Sequence, residues 1–255
     1  PTQPYSLGMP AIGVEPLSEA TMWGITPFDQ LWCRIQFRKM RYAGDFTPPG
    51  LTPSLQWPGY YGGMNWGSVT IDERRGYLIV NDTRSAHRVQ LVPRDVADTA
   101  GAGQSHDGLS AQTGTPYGAA KVSFLSPLGV PCQNPPYGTL TAIDLKTRRI
   151  AWQVPLGTVR DTGPAGIRMG VNLPVGMPSV GGPVSTSSGL VFFAGTLDFY
   201  LRAFDTASGR ELWKGRLPVG TQTTPMTYVS PKSGRQFVIA FAGGARESPH
   251  RGSRS

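Results

Sequence analysis

Gly138-Thr-Leu-Thr-Ala-Ile-Asp-Leu-Lys-Thr-Arg-Arg-Ile-Ala-Trp152 aligns without a gap on Phe199-Tyr-Leu-Arg-Ala-Phe-Asp-Thr-Ala-Ser-Gly-Arg-Glu-Leu-Trp213. Leu140 and Leu201, Ala142 and Ala203, Asp144 and Asp205, and Trp152 and Trp213 each stand 61 residues apart. Within each copy an alternating segment runs to Ala-x-Asp, a polar turn follows, and a second short segment ends in Trp, which predicts strand, tight turn, strand. Asp144 and Asp205 suit the turn entry, because a carboxylate there accepts backbone N–H groups two residues on. Gly209 supplies a positive φ in the second copy, where the first has Arg148. The Trp closing each copy is a wide apolar plate suited to packing on a neighbouring unit, as a radial array of small sheets requires.

A second pattern recurs at looser spacing. Trp66-Gly-Ser-Val-Thr-Ile-Asp-Glu-Arg-Arg-Gly-Tyr-Leu-Ile-Val80, Gly182-Pro-Val-Ser-Thr-Ser-Ser-Gly-Leu-Val-Phe-Phe-Ala194 and Pro225-Met-Thr-Tyr-Val-Ser-Pro-Lys-Ser-Gly-Arg-Gln-Phe-Val-Ile239 each give a short strand, a polar turn and a strongly apolar strand. These are candidate inner strands. Together the units predict an all-β chain made of several blades of a β-propeller. Residues 94–123 and 160–176 are expected to be irregular insertions, the first a loop or lid. A short helix is expected over residues 27–40, with Ser18 available as a cap.

Composition agrees with that class. The 255 residues include 33 Gly and 24 Pro, so breakers fill more than a fifth of the chain and long helices are disfavoured. The glycines follow no strict period, which excludes a collagen-like chain. The net charge of +8 would suit an acidic ligand, a nucleic acid or an anionic membrane. No nucleic-acid reading motif accompanies the charge, and solubility is its simpler role. Cys33 and Cys132 are too far apart for a metal knuckle, leaving a buried thiol or a disulfide. Position 1 is Pro and no apolar run approaches the ~20 residues of a membrane helix, so the sequence is expected to be an internal piece of a longer protein.

The repeats resemble the Trp docking motifs of the pyrroloquinoline-quinone-dependent dehydrogenases, which are eight-bladed propellers. Within that family Met22-Trp-Gly-Ile-Thr-Pro-Phe-Asp-Gln-Leu-Trp-Cys-Arg34, Met40-Arg-Tyr42, Phe46-Thr-Pro-Pro49, Phe124-Leu-Ser-Pro-Leu-Gly-Val-Pro-Cys132 and Thr224-Pro-Met-Thr-Tyr228 are most similar to the membrane-bound glucose, quinate and shikimate branch. The quinate/shikimate type fits best. The resemblance implies that residues 1–245 are the carboxy-terminal part of the propeller domain and that 246–255 are a polar tail standing where the family has its closing strand. A piece of this kind leaves strand edges unpaired and is expected to be marginal or inactive alone.

Site roles follow from the same resemblance. Asn81 matches the asparagine that contacts the quinone, a role its amide can fill by donating and accepting; read alone it would be a turn residue before Asp82. Gly243 and Gly244 match a glycine pair near the cofactor, and Gly181 lies in the segment that forms the cofactor floor. Ala245 stands where glucose-oxidising members carry a His. Arg246 is the candidate partner for a substrate carboxylate, since a guanidinium binds one bidentately; its plain alternative is a solvated arginine. The implied cofactors are pyrroloquinoline quinone and calcium. The catalytic base and the calcium ligands are expected upstream of Pro1, and Asp29, Asp45 and Asp72 are not assigned to those roles.

The implied activity is oxidation of a polyol or hydroxy acid, quinate or shikimate, with electrons passing to membrane ubiquinone on the periplasmic face of a bacterial inner membrane. Attachment to that membrane would come from amino-terminal helices absent here. Glucose oxidation, or a non-catalytic propeller acting as a binding module, are the alternatives.

Overall fold

The computed structural model describes residues 7–67, 69–101 and 107–243. Along the chain run helix α1 (Pro27–Arg38), strands β1 (Ser54–Gln56), β2 (Val69–Asp72), β3 (Tyr77–Thr83) and β4 (His87–Pro93), helix α2 (Arg94–Thr99), and strands β5 (Gly108–Ser110) and β6 (Tyr117–Ser123). Then follow β7 (Gly138–Asp144), β8 (Arg149–Pro155), β9 (Pro183–Ser185), β10 (Leu190–Phe193), β11 (Tyr200–Asp205), β12 (Glu211–Arg216), β13 (Met226–Val229) and β14 (Gln236–Ile239). Among the described residues the pairings of these strands with one another are all antiparallel.

Two four-stranded sheets, β2-β3-β7-β8 and β9-β10-β11-β12, are the blades that the repeats and the candidate inner strands foretell. The pair β13-β14 has the same form as the first two strands of a blade. Both repeat copies fold alike down to their irregularities. A bulge interrupts each outer pair at the same place, after Ala142 and after Ala203. Asp144 accepts from the backbone N–H of Lys146 (2.8 Å) and Thr147 (3.2 Å), and Asp205 from Ala207 (2.6 Å) and Ser208 (3.0 Å). Arg148 and Gly209 both hold a positive φ, 56° and 70°.

What joins the blades is the Trp152 plate. Its ring lies so close over Gly209 that a Cβ there would come within 2.5 Å of it, and its Nε1 donates to the Thr206 carbonyl at 2.9 Å. The Thr206 hydroxyl in turn donates to Asp72 at 2.5 Å, and Arg75 binds both Asp72 and Thr206. Asp72 therefore does sit in a turn, and that turn clasps the next blade. Beneath the clasp Ile79, Leu140, Ala142 and Leu156 of the first blade close on Val191, Phe193 and Phe204 of the second. Trp213 behaves differently from its counterpart. It is 52% exposed and lies against Gly215 of its own strand, with no following turn over it among the described residues.

Three expectations need correction. Residues 94–123 are not one loop: they contain α2, β5 and β6, because β4 and β6 pair along their whole length. Residues 84–137 leave the first blade after β3 and return as β7, and on the way their strands β4, β5 and β6 join β1, from before the blade, in a further sheet, β1-β4-β6-β5. The helix ends at Arg38 and is capped by the Thr26 hydroxyl, while Ser18 caps a separate single turn at Glu19–Thr21. Residues 160–176 are irregular, as expected, apart from one turn at Pro164–Gly166.

Cys33 and Cys132 form a disulfide that ties α1 to the inserted segment, fully buried among Met22, Leu55, Trp57, Ala86 and Phe124. Closing a loop of 99 residues, it is expected to contribute about 2–4 kcal/mol.

The equivalent turn positions give opposite expectations. Gly209→Ala should destabilise the intact protein by about 1–3 kcal/mol, because the added methyl meets both an unfavourable φ and the Trp152 ring. Arg148→Gly should be neutral or stabilise by up to about 1 kcal/mol, since it relieves a left-handed residue in an exposed turn. Urea midpoints of the two variants check the pair, and equal shifts of one sign would contradict it.

Candidate functional site

The site candidates gather at the end of the blades where β3 finishes, β7 begins and β9 begins. Alternation along β3 places Ile79, Asn81 and Thr83 on the face toward the second blade. Ile79 enters the shared core there, and Asn81 and Thr83 continue the same row to the rim. Asn81 is only 3% exposed, and its Nδ2 donates to the Ser179 hydroxyl at 3.1 Å. Thr83 clamps the backbone of the same residue: its hydroxyl donates to the Ser179 carbonyl (2.8 Å) and accepts from the Ser179 N–H (3.0 Å).

Two residues on, Gly181 is buried where backbones crowd. A Cβ at Gly181 would lie 2.8 Å from the Ala194 carbonyl and 3.0 Å from that of Thr223, and one at Gly182 only 1.8 Å from that of Gly67. The missing side chains thus serve the approach of three successive inner-strand segments. Thr223 reaches the Phe241 carbonyl at 3.5 Å, and Gly243 follows two residues later. The structure in this way links the segments that carry these residues: Asn81 meets Ser179, Gly181 crowds Thr223, and Thr223 reaches Phe241, two residues before Gly243. Gly244, Ala245 and Arg246 lie outside the described residues.

Two buried ionic groups at the same end were not singled out from the sequence. Asp82, fully buried on the opposite face of β3, accepts from Arg84 Nε at 2.7 Å and from the Thr139 hydroxyl. Arg84 also reaches Glu15 at 3.3 Å, and its Nη2 has no partner among the described residues. Asp198 accepts from Arg202, from the Thr196 hydroxyl (2.5 Å) and from both the N–H (2.9 Å) and hydroxyl (2.7 Å) of Thr158. Burial alone would raise the Asp198 carboxyl, but these donors and the Arg202 charge outweigh it and hold the group below the ordinary carboxylate range. Asp72 is held low in the same way, its burial outweighed by hydrogen bonds from Thr206 and Arg75. The only signal available in sequence was a charged pair, Asp198 just before β11 and Arg202 within it.

The donors present suit a flat anionic quinone. After bonding to Ser179 the Asn81 amide keeps a second N–H and a carbonyl. No group of three His, Cys, Asp or Glu residues arranged to hold a metal ion occurs among the described residues. No described helix is long and apolar enough to cross a membrane.

Blades interlocked by Trp, carrying polar groups at one rim, define the class, and comparison fixes it. Residues 1–238 match the family described as PQQ: glucose/ethanol/alcohol dehydrogenase, beta-propeller domain, and the chain belongs to that family. It is 56% identical over 98% of its length to the quinate/shikimate dehydrogenase (quinone) of Acinetobacter baylyi, covering 32% of that protein. It is 58% identical over 99% of its length to the probable quinate dehydrogenase (quinone) of Xanthomonas campestris pv. juglandis, again covering 32%. The quinoprotein glucose dehydrogenase of Escherichia coli is 42% identical over 96% of the chain, which covers 31% of it. The chain thus spans about a third of the length of these relatives.

The depressed carboxyls set the acid response. A carboxylate whose folded-state pKa lies below its unfolded value of ~3.9 contributes stability that is fully present above that value and is lost as pH falls through the folded one. Asp198→Asn should therefore lower the thermal midpoint of the intact protein at pH 7, consistent with the ~3–5 kcal/mol lost when a buried pair is broken. The gap to the wild type should narrow below about pH 4. A gap of equal size at pH 3 and pH 7 would contradict the assignment.

Proposed function

We propose that residues 1–245 are part of the propeller domain of a pyrroloquinoline-quinone-dependent dehydrogenase that oxidises quinate or shikimate. The observation that carries the reading is identity of 56% and 58% to two relatives with that named activity, along nearly the whole chain. The glucose-oxidising relative, at 42%, is more distant.

The cofactor, when bound, supplies a two-electron sink for the alcohol carbon. The part of this chain is to hold it. Asn81 would contact the quinone through its amide, and Gly181, Gly243, Gly244 and Ala245 would let backbone come close to it. Arg246 would bind the substrate carboxylate as a two-pronged ion pair, which glucose cannot use. The catalytic base and the calcium ligands belong to the remainder of the protein.

Electron delivery to ubiquinone at the periplasmic face of the membrane completes the reading, with attachment through segments outside this chain. The Cys33–Cys132 disulfide supports that placement, because such bonds persist in oxidising compartments.

A dye-linked assay of the complete protein, reconstituted with pyrroloquinoline quinone and calcium, tests the reading. Quinate or shikimate should turn over well ahead of glucose, and Arg246→Ala should raise the quinate KM by roughly 10- to 100-fold while changing glucose turnover little. Preference for glucose would overturn the role of Arg246, and no turnover of any of the three would favour a non-catalytic propeller.

A further inference from the structure

We infer that Ser179 is a positioning residue for the cofactor, acting through Asn81; this deepens the proposed function and rests on it. Ser179 stands in the segment leading into β9, in the second blade, while Asn81 lies two residues before the end of β3 in the first. Their side chains meet at 3.1 Å with Asn81 3% and Ser179 2% exposed. The Ser179 hydroxyl is the partner of the Asn81 amide among the described residues. A hydroxyl both donates and accepts, so it holds the plane of the amide whichever end faces it.

The serine is itself fixed. Thr83, two residues beyond Asn81 on the same face of β3, satisfies both backbone groups of Ser179 through one hydroxyl. Three residues from two blades thereby form a closed set in which the backbone of one blade is anchored and its side chain holds the amide of the other. With Nδ2 committed to Ser179, the second N–H and the carbonyl of Asn81 are directed away from it and are free to meet a ligand. An amide held in this way loses little rotamer freedom on binding, which is where preorganisation gains affinity.

The arrangement separates Ser179 from a residue that merely fills space. Ser179→Ala keeps the Thr83 clamp on the backbone and removes only the hydroxyl. Ser179→Thr keeps a hydroxyl on the same carbon.

The test is fluorescence titration of the complete apo-protein with pyrroloquinoline quinone in calcium, alongside thermal unfolding without cofactor. Ser179→Ala should raise the cofactor Kd roughly tenfold, the loss of about one hydrogen bond's worth of organisation. Ser179→Thr should stay within about threefold of the wild type, and both apo-proteins should unfold within a few degrees of it. In an Asn81→Ala background, Ser179→Ala should add nothing, because its effect passes through the amide.

Unchanged affinity in Ser179→Ala, with saturable uptake by the wild type, would overturn the inference and leave the function standing. Equal loss in the Ala and Thr variants with a matching fall in apo stability would also overturn it, since that marks a packing role. Additive losses in the double variant would overturn action through Asn81. No saturable uptake by the wild type would overturn the functional reading and the inference with it.

Discussion

A blade of four short strands has two apolar faces and covers neither, so it is held by its neighbour or not at all. In this chain the neighbour is engaged by one indole. Trp152 leaves the outer strand of the first blade, lies on Gly209 and bonds to the carbonyl of Thr206, while Asp72 and Arg75 bind the hydroxyl of the same threonine from the inner turn. Thr206 is thus grasped from both edges of the first blade. The register this imposes closes the core of Ile79, Leu140, Val191, Phe193 and Phe204.

The same register sets the rim. Because strand side chains alternate, the packing that buries Ile79 also directs Asn81 and Thr83 toward the second blade, where Ser179 receives both. The candidate cofactor contact therefore follows from how the blades dock, and not from a flexible loop. Buried charge reinforces the arrangement: the Asp198 and Arg202 pair joins the loop before β11 to Thr158 at the end of the first blade. Glycine completes it, since Gly181 and Gly182 let the backbones beside Gly67, Ala194 and Thr223 come closer than any side chain would permit.

How much of this could be read beforehand depended on sequence distance. The repeats announced themselves because each is local: the Asp turn, the residue of positive φ and the Trp lie within fifteen positions and recur 61 residues later. The inserted sheet did not. Its strands β1, β4 and β6 are joined by pairings between distant segments, and residues 94–123 are rich in Gly, Ala and Ser, so their periodicity is weak. The helix was found but its cap was misplaced, since Ser18 and Thr26 are both good caps and only the turn of chain at Glu19–Thr21 separates their roles. At the site, Asn81 was legible only through family resemblance, because a strand-ending Asn before an Asp is ordinary turn chemistry. Ser179, Arg84 and the Asp198 network were not legible, since their meaning comes from contacts such as that of Asn81 with Ser179, 98 residues apart.

An experimental structure of the complete protein loaded with pyrroloquinoline quinone tests the central claim, that blade docking presents the Asn81 amide to the cofactor. The account predicts the quinone within about 3 Å of the Asn81 side chain, with the Ser179 hydroxyl still on its other side. A quinone bound elsewhere, or an Asn81 amide turned wholly onto protein groups, would contradict it.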